Sequence, residues 1–305
     1  MKQITIGKSG LTTSAISLGC MRIPQMSHNE ISSLVNTALE NGITFFDHAD
    51  IYGGGKSEEV FGALLKETPS LRDKMLLQSK CGIRPGMFDF SKEHILSAVD
   101  GSLARLHTDS LDFLLLHRPD ALMEPDDVAE AFTRLKDSGK VRFFGVSNMS
   151  PMQIELLQQA LDQPITANQL QFSAAFTGMV DYGLNVNMKS SAASMRDGGI
   201  LEYSRLKNIT IQAWSPLQYG FFDGIFLGSD KYPQLNKVLS RIAEEQQVSA
   251  SAVAIAWILR HPANMQAILG TTSVVHLTEM SKAGDVELSK AQWYEIYTSA
   301  GNILP

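Results

Sequence analysis

The chain has 305 residues, 44% of them hydrophobic and 19% charged, and a formal net charge of −6 at pH 7. That composition belongs to a globular protein that buries a full core, and with no basic block nucleic acid is not an expected partner. Two cysteines, Cys20 and Cys81, exclude a disulfide framework, and apolar runs such as LDFLLL are too short to span a bilayer; with no apolar leader visible, a cytoplasmic location is expected.

In chain order, QITIGKSGLTTSAIS comes first: two β-prone runs around a glycine-containing turn, predicting a short hairpin. Strand-length apolar runs bounded by Gly, Pro, Asp or Ser then recur at 15–19, 43–47, 75–80, 111–117, 141–147, 165–171, 209–215 and 265–271. Helical periodicity fills the spaces between them, at 29–41, 57–66, 91–106, 126–138, 151–161, 198–206, 233–246 with 250–260, and 274–283. Ser91 and Ser150, the latter followed by Pro151, mark two helix entries. Strict alternation implies a parallel sheet with right-handed crossovers. Eight units point to a closed (β/α)8 TIM barrel, one domain over residues 1–305, with the N-terminal β-hairpin covering one end. An open dinucleotide-binding sheet would place G-x-G-x-x-G after its first strand, where this chain reads SLGCMRIP. Residues 172–197 form a long connection after the sixth strand, of a length that often covers an active site, and Met179, Met188 and Met195 are its candidate substrate contacts.

The segment ITFFDHADIYGGGKSEEVFG resembles a phosphate-binding loop, with Gly55-Lys56-Ser57 before a helical pattern, but the first glycine of that motif falls on Asp50. A barrel carries its chemistry at the C-terminal ends of the strands. There the second strand delivers Asp47, with Tyr52 in the following loop; the third delivers Lys80, the fourth His117, the fifth Ser147 and Asn148, the sixth Asn168 and Gln169, and the seventh Trp214 and Ser215. Asp, Tyr, Lys and His at adjacent strand ends make a proton-delivery set. A phenol donates a proton at neutral pH, a neighbouring ammonium is expected to lower its pKa, a carboxylate holds the ammonium charged, and an imidazole orients a carbonyl oxygen. Ser57 is expected to cap the helix that follows the glycines.

The ordered series GKSGLTTSAISLGCMR, GITFFDHADIYGGGKSEEVFG, LQSK, DSLDFLLLHRPD, GKVRFFGVSN, NQLQFS, AWSPL and ILGTTS resembles the aldo-keto reductases over nearly the whole chain, and within them the bacterial branch with a short HRPD after the fourth strand. The resemblance implies an oxidoreductase that reduces small carbonyl substrates with NADPH, bound without a dinucleotide-binding domain. It implies Tyr52 as proton donor, His117 as orienter, and Lys80, anchored by Asp47, as tuner of Tyr52. It further implies cofactor contacts from Ser147, Asn148, Gln169, Trp214, Ser215, Leu217, Gly270, Thr271, Thr272, Ser273, His276 and Glu279. The glycines after Tyr52 then serve to turn the loop. Relatives usually carry arginine where His276 stands, so weaker preference for NADPH over NADH is expected.

Two other classes compete. A cofactor-binding regulatory barrel with little turnover would not need all of Asp47, Tyr52, Lys80 and His117. A metal-dependent barrel hydrolase would draw on Asp47, His48, Asp50, His117 and Asp120, but no second His or Cys pair has ligand spacing, and no metal is expected. Physiological substrate and oligomeric state leave no signal.

Overall fold

The computed structural model describes residues 1–305. Its barrel strands are Ile16–Gly19, Phe45–Asp47, Leu76–Cys81, Leu111–Leu116, Val141–Ser147, Ile165–Gln171, Thr210–Trp214 and Met265–Leu269. Each pairs in parallel with the next, and the eighth closes on the first through Ala267 opposite Ile16. These are the eight runs the sequence predicts, with edges moved by one or two residues.

Strands covered on both faces need apolar side chains on both, which is why the runs are nearly continuous. The fourth strand is buried at every residue. The two faces part at neighbouring residues of the second strand. Phe45 meets Phe113 of the fourth strand, ring centres 5.4 Å apart. Phe46 meets Phe61 of the helix Lys56–Glu67, 5.5 Å away. With a side-chain period of two, Asp47 shares the face of Phe45.

The N-terminal hairpin pairs Gln3–Thr5 with Thr12–Ser14. It lies across the N-terminal strand ends, where Gly7 N donates to Thr210 Oγ1 (2.8 Å) and Asn264 Nδ2 donates to Thr5 O (2.5 Å). Gly7 has φ 47°, and a Cβ there would lie 2.2 Å from the Thr166 carbonyl oxygen, so only glycine lets the hairpin sit this close. The bottom of the barrel is thereby covered and the C-terminal mouth left open.

Ser91 caps Lys92–Leu106, and Ser150 with Gln153 forms a reciprocal capping box at Pro151–Ala160, as their sequences predict. Two helices stand outside the eightfold pattern, Gly178–Leu184 and Lys290–Ser299. They explain the long connection. Tyr297 OH donates to Asp181 Oδ1 at 2.7 Å, and Met179 and Val180 are buried, so part of residues 172–197 is folded against the barrel wall.

Candidate active site

Asp47, Lys80 and His117 come from successive strands, and the sheet register brings them together. Asp47 lies opposite Gln78 and Lys80 opposite Leu115, one residue short of the strand's last position. Gln78 and Lys80 are two apart and share the inward face. The Lys80 ammonium is fully buried, and its three donors meet three acceptors: Asp47 at 2.8 Å, His48 O at 2.8 Å and Tyr52 OH at 3.0 Å. The Tyr52 and His117 rings meet edge to face, centres 5.7 Å apart. The structure thus brings these four side chains together.

Three glycines place Tyr52. Gly53, Gly54 and Gly55 all have positive φ, 60°, 66° and 93°, and the chain folds from Tyr52 straight into the helix Lys56–Glu67. A side chain at Gly53 would also meet Pro24 Cγ at 2.7 Å. The helix cap differs from expectation. Gly55 occupies that position without a side-chain hydrogen bond, and Ser57 Oγ instead donates to Cys20 O at 2.6 Å. The left-handed turn has already begun the helix one residue before Ser57, so that hydroxyl is inside it.

The electrostatics refine the expected role of Lys80. Burial pushes the Tyr52 phenol above its ordinary value; the Lys80 ammonium opposes this, and Asp47 adds to it. The net direction is upward, so Lys80 restrains a rise instead of producing a fall. Tyr52 thus remains protonated at neutral pH. Burial also works against the Lys80 charge, but the Asp47 carboxylate and Tyr52 outweigh it and raise the ammonium's pKa. His117 is neutral: burial, then Lys80 and Arg118, depress its pKa well below the usual imidazole value.

A ladder of glutamines runs through the barrel beneath this group. Gln78 Nε2 donates to Asp47 Oδ1 (2.6 Å) and Gln212 Oε1 (2.9 Å); Gln212 Nε2 donates to Gln78 Oε1 (3.0 Å) and Gln266 Oε1 (2.9 Å); Gln266 Nε2 ends the chain on Ser14 O (2.9 Å). Gln169 joins from the sixth strand, donating to Asp47 Oδ1 at 3.1 Å. The Asp47 carboxylate is therefore held by an ammonium and two amides, the hydrogen bonding that a buried charge requires. Sequence reasoning did not find Gln78, Gln212 or Gln266. Their signal was a lone polar residue in LLQSK, ITIQAW and MQAIL, two places from Lys80 in the first and from Trp214 in the second.

Above the four residues opens a cavity of about 930 Å³. Tyr52 and His117 line it with Ser147, Asn148, Gln169 and Trp214, which are themselves interlocked: Asn148 Nδ2 donates to Ser147 Oγ (2.7 Å), and Trp214 Nε1 donates to Asn148 Oδ1 (3.3 Å). Asn148 and Ser215 reach these positions with φ of 55° and 51°, left-handed turns at the ends of their strands. Ser215, Leu217, Gly270, Thr271, His276 and Glu279 line it as well. Thr272 and Ser273 do not line it; Ser273 Oγ accepts from His276 N and caps the helix Val274–Ser281. None of residues 172–197 lines the cavity, so Met179, Met188 and Met195 are not contacts of it, contrary to expectation. The loop after the seventh strand lines it instead, through Phe221 and Phe222, whose ring centres are 6.0 and 6.5 Å from that of Trp214.

His48 and Asp50 do not face this cavity as metal ligands. The buried His48 ring packs edge-on against Phe61, centres 4.5 Å apart, and burial drives its pKa down to about 3. Burial, then the Glu58 carboxylate, pushes the Asp50 carboxyl up to about 7. No group of three or more His, Cys, Asp or Glu is arranged to hold a metal ion.

The description of the aldo/keto reductase family matches residues 15–299. The chain belongs to the aldo/keto reductase family. It is 36% identical over 304 residues to the 6-dehydroglucose reductase of Agrobacterium fabrum, covering 95% of each chain. It is 34% identical over 311 residues to the oxidoreductase YdhF of Escherichia coli, covering 98% of each. Among solved structures it superposes on an aldo/keto reductase from Klebsiella pneumoniae in complex with NADP and acetate, with TM-score 0.76 and 25% identity, covering 97% of this chain and 94% of that one. No helix is long and apolar enough to cross a membrane.

Proposed function

We propose that this aldo/keto reductase reduces aldehyde or ketone carbonyls to alcohols with NADPH, Tyr52 delivering the proton. The observation that carries this reading is the buried Lys80 ammonium, 3.0 Å from Tyr52 OH and 2.8 Å from Asp47, beneath a cavity that Tyr52 and His117 line. The cavity suits a nicotinamide cofactor. Hydroxyl and amide groups of Ser147, Asn148 and Gln169 line it with the Trp214 ring, and so do His276 and Glu279 from the helix Val274–Ser281, whose first turns are a place for a phosphate. The NADP of the Klebsiella pneumoniae structure supports the same reading. The bound nicotinamide supplies the hydride; the protein supplies position and the proton.

As the carbonyl carbon accepts hydride, its oxygen gains negative charge. The Tyr52 O–H is the proton source for that oxygen, and general acid catalysis of this kind contributes roughly 10²–10⁴-fold. The phenolate left behind is stabilised by the Lys80 ammonium, which Asp47 and the glutamine ladder hold in place. Neutral His117 offers an N–H to the same oxygen and fixes the angle at which the carbonyl presents itself. The fit is tested by offering purified protein a panel of aldehydes and ketones and following NADPH consumption. Consumption with at least one carbonyl and none without it is the expected result; no consumption with any member, although NADPH binds, would return the regulatory-barrel reading.

His276 bears on cofactor choice. It is exposed on the cavity wall close to Thr271, with its backbone N–H spent on the Ser273 cap. Arginine there would stay charged and pair with a 2′-phosphate through two donors. His276→Arg is therefore expected to lower the dissociation constant for NADPH by about tenfold relative to that for NADH, roughly 1.4 kcal/mol. Fluorescence titration of both cofactors checks it, and an unchanged ratio places His276 away from the phosphate.

A further inference from the structure

Arg118 follows His117 directly and lines the same cavity. It differs from the other arginines of the chain. Arg72 and Arg142 share Asp112, Arg84 pairs with Asp89, Arg105 with Glu58, and Arg260 donates to the Leu288 carbonyl. Arg118 donates to nothing in the protein. The two nearby carboxylates are engaged: Asp47 by Lys80 and two glutamine amides, Asp120 by the backbone N–H groups of Phe90 and Leu122. Arg22 and Arg205 also have no partner, but both are exposed, whereas Arg118 is half-buried.

What holds Arg118 is aromatic. Its guanidinium carbon lies 5.9 Å from the centre of the Trp214 ring and 5.6 Å from that of Phe221, and those two rings are nearly perpendicular, at 87°. Stacking of this kind fixes a guanidinium and thins its water while leaving its in-plane N–H fork free. Burial disfavours the charge, and the only ionisable group favouring it is Tyr52. A guanidinium with five donors and no acceptor, part-desolvated beside a reaction site, lacks an anion.

We infer that Arg118 anchors a carboxylate on the substrate, and that this enzyme prefers carbonyl compounds carrying a carboxylate a few bonds from the reacting carbon. The inference rests on the reductase reading above and goes beyond it to the class of substrate. Tyr52 and His117 fix the carbonyl oxygen, and Arg118, the next residue along, fixes the far end, so the two contacts set the substrate's direction across the mouth. A bidentate guanidinium–carboxylate pair supplies that direction where a single point charge does not.

The probe is a matched pair of aldehydes, 4-carboxybenzaldehyde and methyl 4-formylbenzoate, alike in shape and differing in charge. The parent enzyme is expected to favour the carboxylate in kcat/KM by about tenfold or more, mostly through KM, with the preference shrinking at high salt. Arg118→Met should collapse the ratio of the two, and Arg118→Lys should restore part of it. Equal turnover of both aldehydes by the parent, or a loss shared equally by both in Arg118→Met, overturns the inference and leaves Arg118 a brace for Trp214. If the parent turns over neither aldehyde, the reductase reading is what fails. Calorimetry of 4-(hydroxymethyl)benzoate against its methyl ester, on parent and Arg118→Met with NADP present, then decides the anchor by binding alone: a carboxylate preference lost in the variant supports it, and none overturns it.

Discussion

Tyr52→Phe is expected to lower kcat/KM for carbonyl reduction by roughly 10²–10⁴-fold, the usual worth of a positioned general acid. The change removes one hydroxyl and keeps the ring that meets His117 edge to face. It leaves one Lys80 donor without its acceptor, at a cost of about 1–3 kcal/mol, which a chain of this size tolerates. The cavity wall that would hold the cofactor, from Ser147 to Glu279, is untouched. NADPH should therefore bind the variant as it binds the parent. A variant within a few-fold of the parent on a good aldehyde removes Tyr52 from the role of donor.

Lys80→Met is expected to harm both stability and rate, for separable reasons. The ammonium is fully buried and satisfies Asp47, His48 O and Tyr52 at once. Its loss leaves the Asp47 carboxylate buried on two glutamine amides, and breaking a buried pair from one side costs about 3–5 kcal/mol. The double variant with Asp47→Asn removes that stranded charge and should recover most of the stability. It should not recover the rate, because neither variant has the ammonium that stabilises the Tyr52 phenolate, and a fall of about 10²-fold or more remains. The sign of the pH effect follows from the causes at Tyr52. Burial and Asp47 raise its pKa and Lys80 lowers it, so removing Lys80 raises it further. Reduction needs the protonated phenol, so its loss at alkaline pH should move to still higher pH in Lys80→Met. A pH profile unmoved at a normal rate shows that Lys80 has no part in tuning Tyr52.

The barrel was legible because its physics is repetitive. Each strand is a short apolar run that must be covered on both faces, and each helix a longer amphipathic one, so eight alternations leave little choice of architecture. The four central residues were legible because strand ends are fixed points: Asp47, Lys80 and His117 close their apolar runs, and Tyr52 lies just before three glycines. The glutamine ladder was harder to read. In a strand buried on both sides, nothing local says whether Gln78 faces the barrel interior or the helices; only its two-residue step to Lys80 does. The helix Lys290–Ser299 carried its own signal, a capping box between Ser289 and Gln292, but lay beyond an eightfold pattern already complete. The long segment 172–197 was read correctly as an insertion and wrongly as a cover. Loop length measures how far a chain can reach, not in which direction, and the buried Met179 and Val180 with the Tyr297–Asp181 hydrogen bond turned part of it outward onto the barrel wall. Arg118 was passed over because an arginine in HRPD is unremarkable until its want of a partner is visible.

The central claim is that Tyr52, kept protonated by burial against the pull of Lys80, gives the proton as the carbonyl is reduced. Single-turnover oxidation of enzyme-bound NADPH by an aldehyde, followed as a function of pH, tests it most directly. The account predicts oxidation that requires the aldehyde, at a rate level from about pH 6 to about pH 8 and declining only above the ordinary phenol range near 10. A rate that falls steeply within the neutral window, or bound NADPH that no aldehyde oxidises, would contradict it.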